Sequence, residues 1–254
     1  MPVSESPHVK QPAARKADDT IADPLTSEVR PLHDCDRPVI FTGYRSRHMT
    51  SSTTSTARPG PKPRPGTRDN LIRAGVKMLH ESGYSATGIK DIVDAAKVPK
   101  GSFYNHFESK ESFGKEVVDV YFDQGLAKLR ALLGDDDVPP LERLKTYFSE
   151  RARGFKAIGY ARGCMLGNLS LEVADHSDMI RDRLATHFRT WSGLLETCIA
   201  DAQETGAIRN RTPAPVLAQF LLNSWEGALL RMRAEKSDAP LKQFIEVVFG
   251  SVLV

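Results

Sequence analysis

The chain has 254 residues, is 40% hydrophobic and carries a formal net charge of +3. That length holds one large or two modest domains with a real core, and no apolar run approaches the roughly 20 residues of a membrane span. With no secretory signal pattern at its start, the chain is expected to be cytoplasmic. Three cysteines, Cys35, Cys164 and Cys198, have neither paired nor metal-ligand spacing, so no disulfide framework, zinc site or other cofactor is expected.

Residues 1–66 are rich in Pro, Ser, Thr and charge with no sustained helical or strand period, and are expected to be disordered. Met49 makes a more ordinary entry to the helical domain beyond it, so residues 1–48 are expected to come from an over-extended start. Arg58 to Gly66 alternates cations with Pro and Gly. Such a segment reads either as an arm lying along a DNA minor groove or as a solvated linker.

From Thr67 onward the pattern is helical almost throughout, so the expected fold class is all-α. Thr67 is placed to cap a helix bearing Leu71, Ile72, Val76 and Leu79, which Gly83 ends. Thr87 is placed to cap a second helix carrying Ile89, Ile92, Val93 and Ala96, broken at Lys97-Val98-Pro99. A short helix from Lys100 presents small or hydrogen-bonding groups outward, while Phe103 and Phe107, spaced i, i+4, anchor it. Helix, turn, helix is the order of a DNA reader, although any small helical bundle can contain it. The charge is distributed to match: between Arg58 and Lys110 ten basic residues face five acidic ones.

Ser109 or Lys110 opens a long helix to Gly134, Pro139-Pro140 starts the next, and a shorter helix follows Gly163. Ser177 caps another long one ending at Gly206. Pro213 introduces a helix to about Lys236, and Pro240 lies near the start of the last. The expected division is an extension over 1–66, a helix-turn-helix domain over 67–112 and a regulatory and dimerisation domain over 113–254.

The segment Gly83 to Phe113, and above all the uninterrupted Lys100-Gly101-Ser102-Phe103-Tyr104-Asn105-His106-Phe107-Glu108-Ser109-Lys110-Glu111, resembles the DNA-binding domain of TetR/AcrR-type transcriptional regulators. The resemblance implies a homodimer that reads a palindromic double-stranded operator and answers to a small-molecule inducer. Lys100, Ser102 and Asn105 become candidates for base-edge contacts. Gly101 lets backbone approach the DNA closely, and Tyr104, His106 and Lys110 resemble positions that bind phosphates. An exposed packing role is the alternative for His106.

Arg162-Gly163-Cys164-Met165 through Glu172, with Trp225-Glu226-Gly227-Ala228, resembles a narrower branch responsive to electrophiles and acrylate. There Cys164 stands at a helix N-terminus, where the dipole is expected to lower its pKa and make it a thiolate sensor. Trp225 and Arg233 complete the implied inducer site. Where members of this branch carry a lysine that partners the cysteine, this chain has Arg233. That residue, or Arg231, would suit a carboxylate inducer. The competing readings are a Cys164 that serves only as a small buried hydrophobe, an enzyme using Cys164 without a convincing base, and an architectural DNA protein.

Overall fold

The computed structural model describes residues 66–254. Cys35, Met49 and the cations Lys62 and Arg64 of the proposed arm lie outside them. The described chain is helical, with no strand among its elements. α1 (Thr67–Ser82), α2 (Ile89–Ala95) and α3 (Gly101–Tyr104) precede a long α4 (Lys110–Leu133). α5 (Pro140–Ala157), α6 (Met165–Val173), α7 (Asp178–Glu204), α8 (Ala214–Glu235) and α9 (Ala239–Val247) follow, and a π-turn over Val248–Val252 ends the bundle.

Some caps differ from the expectation. Gly66, at φ 78°, takes the position before α1, so Thr67 becomes the first helical residue and is buried. Gly88 precedes α2, where the Asp91 carboxylate accepts its N–H at 2.8 Å. Thr87 instead turns back, its hydroxyl donating to the Gly83 carbonyl at 2.7 Å. The competition is local: a threonine hydroxyl can serve the preceding turn as readily as the following one. Ser177 caps α7 as expected, through Ile180 N at 3.2 Å, and of the two residues offered for the start of α4 it is Ser109 that caps, through Ser112 N at 3.0 Å.

The first three helices close around aromatic rings. Phe103 lies with its ring centroid 5.4 Å from that of Phe107 and 5.2 Å from that of Phe113, joining Leu71, Leu79 and Ile92 in the core. Gly75 makes this possible, because a Cβ there would stand 2.3 Å from the Phe113 ring. The remaining helices pack around Phe148, Leu166, Leu195 and Trp225, with α4 crossing α7 and α7 crossing α8. At the α4–α5 corner buried Arg143 donates to the Leu133 and Val138 carbonyls and pairs with Asp136. A guanidinium thus satisfies one carbonyl at the end of α4 and one in the loop before α5.

Candidate nucleic-acid interface and regulatory cavity

The turn between α2 and α3 is made by Lys97, in the left-handed region at φ 56°, and Pro99. It leaves α3 as a single turn held to the core only by Phe103. Lys100, Gly101, Tyr104 and Asn105 are exposed and Ser102 is half-buried, so five of the seven expected DNA-facing residues share one solvent-facing ridge. Tyr104 rests edge-on against Phe103, with ring centroids 5.4 Å apart, yet stays 56% exposed, an unusual exposure for a large aromatic. No atom lies within 4 Å of a Cβ built on Gly101.

Three details depart from the expectation. The N–H groups of Ser102 and Phe103 already donate to the Pro99 and Lys100 carbonyls, at 2.9 and 3.2 Å, so fewer are free for phosphate than a helix start suggests. His106 is half-buried and its Nε2 is covered, without a hydrogen-bond partner. Lys110 turns inward: its Nζ donates to the Tyr84 carbonyl at 2.7 Å and sits 4.2 Å from the centre of the Tyr84 ring, and burial draws its pKa down. It fastens the end of α1 to the start of α4.

Cys164 caps α6, as the motif implied, and is buried. The expected drop in thiol pKa is not what the fold produces. Burial and the Glu226 carboxyl push the thiol well above its ordinary value, and the Gly167 N–H opposes them only in part. Desolvating an anion outweighs one helix dipole. Gly167 is what admits Glu226, since a Cβ there would lie 2.4 Å from Glu226 Oε2. Burial in turn raises Glu226 to about 7.

Trp225 is a core residue. Its ring packs on Phe148 and Phe244, with centroids 5.1 and 5.2 Å away, and lines neither cavity near Cys164. Arg233 donates to Asn168 Oδ1 at 3.1 Å and borders an 80 Å³ cleft with Cys164 and Glu226. Arg231 pairs with Glu235 on the surface. The main cavity, 470 Å³, opens on the other side of Cys164, between α4, α5 and α7. Its walls include Tyr121, Tyr147, Arg151 and Trp191; the helical pattern marks the three aromatics only as members of apolar faces, and none of the four as a site residue. A signal existed for Arg151: it falls in the apolar stripe Leu144, Tyr147, Phe148, Phe155 of α5, where a cation has no place unless it meets something.

The cavity and the DNA-facing helices are tied together through α6. At its start the Gly163 carbonyl accepts from His80 Nε2 of α1 at 2.9 Å, and Arg162 pairs with Glu81 at 2.6 Å. Toward its end Glu172 accepts the N–H groups of Tyr84 and Ser85, at 2.8 and 3.1 Å, in the loop between α1 and α2.

A three-helix reader with an exposed third helix, joined to a helical body holding a cavity, defines a helix-turn-helix transcription regulator. Residues 71–117 match the model of bacterial regulatory proteins of the tetR family, and residues 140–248 match the tetracyclin repressor-like C-terminal domain. The chain is 42% identical over 186 residues to the transcriptional repressor DhaR of Mycobacterium sp. strain GP1, covering 73% of this chain and 92% of that protein. It is 37% identical over 177 residues to the transcriptional regulator AcuR of Cereibacter sphaeroides, 69% and 80% of the two chains. The reduced form of NemR from E. coli superposes with a TM-score of 0.69 at 28% identity, over 72% of this chain and 95% of that one. The chain belongs to the TetR family, in the branch that includes NemR and AcuR, and is a DNA-binding transcriptional repressor.

Proposed function

We propose that the chain is a homodimeric repressor that leaves a palindromic operator when a small electrophile, oxidant or acrylate-like inducer reaches Cys164. The observation that carries this reading is the position of α6. One end presents Cys164 to the 470 Å³ cavity, and the other holds the loop that precedes the DNA-facing helices. An adduct at Cys164 adds bulk where the start of α6 meets the cavity and the cleft beside Glu226, and a shift of α6 to accommodate it would carry Glu172 and Gly163 along. DNA would be read by Lys100, Ser102 and Asn105 and held through Gly101, Tyr104, His106 and Lys110, the last two after their side chains turn outward. The domains proposed are those over 67–112 and 113–254.

Dimerisation through α8 and α9 would use the apolar residues that the subunit's own core leaves exposed. Leu217, Leu221, Trp225, Leu229, Phe244 and Val248 pack inside the subunit, whereas Val216, Phe220 and Leu230 of α8 and Val247 of α9 stand about half exposed. Val216, Phe220 and Leu230 fall on one stripe, and a two-fold axis across it would set the paired α3 helices about one DNA turn, ~34 Å, apart.

A second reading, in which Cys164 is structural and the inducer binds without a covalent bond, is favoured by the raised thiol pKa. The two separate in a gel-shift titration of the DNA immediately upstream of the gene. N-ethylmaleimide should release the parent protein and not Cys164→Ser. There the sulfur bonds to the maleimide alkene carbon, the thiol proton passes to the Glu226 carboxylate, and the enolate takes a proton from water. Equal release of both proteins leaves the non-covalent reading.

A further inference from the structure

We infer that the 470 Å³ cavity is a binding site for an amphipathic organic carboxylate of medium length, anchored by Arg151. The inference rests on the ligand-responsive reading above for its regulatory meaning, though not for the binding itself. Arg151 reaches this cavity from α5 with its Nε covered and without an acceptor, and among the described residues it forms no ion pair. Buried guanidinium groups are ordinarily paired, because the desolvation cost is otherwise uncompensated. The other charges on the walls do not supply a partner. Lys128 and Glu150 pair with each other at 2.8 Å, and His80 is spent on the Gly163 carbonyl. Glu226 stands behind Cys164, acts on Arg151 only through space, and is itself half protonated near neutrality.

The surroundings prepare Arg151 for a planar anion. Phe155 lies under its guanidinium, 5.4 Å from centroid to Cζ, fixing the plane of the fork. Tyr121 takes the Met165 N–H at 3.4 Å and lies within reach of Arg151, which leaves the phenol proton for an anionic oxygen. From this polar end the cavity runs along α4 past Leu126 to Leu129, ~12 Å by helical rise, between apolar walls completed by Ile158 and Leu166. A volume of 470 Å³ lies in the range that encloses a drug-sized molecule, so a three-carbon acid would fill only a small part of it.

Isothermal titration of the full-length protein with octanoate, octanamide, 1-octanol and acetate tests this. Octanoate should bind at least tenfold more tightly than each of the others, weaken at least tenfold in Arg151→Gln, and be largely retained in Arg151→Lys. Octanol or octanamide binding within threefold of octanoate would remove the anion anchor, acetate binding as well as octanoate would remove the apolar channel, and no octanoate binding would overturn the site. Should Arg151→Gln not fold, the four-ligand comparison and Arg151→Lys decide alone. Octanoate that binds as described without releasing DNA in the gel shift leaves the site standing and defeats the induction reading instead.

Discussion

Glu226 and Cys164 set each other's chemistry. A carboxyl raised to about 7 from an ordinary 4.5 is one whose charged form the fold disfavours. The unfolded chain loses this proton near pH 4.5 while the folded protein holds it to about 7. Stability contributed below pH 4.5 is therefore lost progressively between pH 4.5 and 7, by on the order of 3 kcal/mol for a shift of this size. Glu226→Gln keeps the shape and removes the charge. Melting temperatures at pH 5 and pH 8 should differ less in the variant than in the parent, and an equal difference in both would mean that another group carries the effect. Cys164 itself was legible in the sequence from its motif and its place at a helix start. The direction of its pKa was not, because the decisive neighbours are the surrounding desolvation and a carboxylate 62 positions further on.

At the scale of elements, α6 is what joins the cavity to the DNA-binding helices in the proposed mechanism. It is a short helix whose sequence reads simply as apolar, yet Glu172 spans two backbone donors of the loop after Gly83. Bonds to a charged acceptor are worth about 1.5–3 kcal/mol each when partly shielded. Glu172→Gln keeps one acceptor oxygen but not the charge, and is expected to destabilise the protein by about 1–2 kcal/mol in urea denaturation. It should also reduce inducer-dependent release of DNA more than it reduces DNA affinity. Unchanged release would place the coupling elsewhere, with α4 and Lys110 the next elements to test. The helix boundaries themselves were readable from Gly, Pro and Ser punctuation, and the caps that shifted did so by a single residue at Thr67 and Thr87. Those caps were chosen by which carbonyl or carboxylate lay near, which the local pattern does not specify.

For the whole molecule, the α8 stripe is the feature on which the proposed dimer rests. Phe220 is 49% exposed and lies outside the hydrophobic core. Phe220→Arg should leave the fold intact, since the ring contributes nothing to the subunit core, and should shift sedimentation from dimer to monomer. DNA affinity should fall with it, because two coupled half-sites become two independent ones. A variant that remains dimeric would move the interface off this stripe.

The helical class, the punctuation of the bundle and the TetR-type motif from Lys100 to Glu111 were determined by the sequence alone. Each depends on periodicity, caps and a contiguous motif, and these act over a few residues. Which apolar face of α8 is core and which is free, that Trp225 is packed rather than part of a site, and that Arg151 stands in a cavity without an ion pair among the described residues were decided only by the tertiary structure. Those outcomes depend on what other helices bring to the same place. Burial, pairing and desolvation are properties of the assembled neighbourhood, so a residue such as Cys164 can be located from its own segment but not given its chemistry from it.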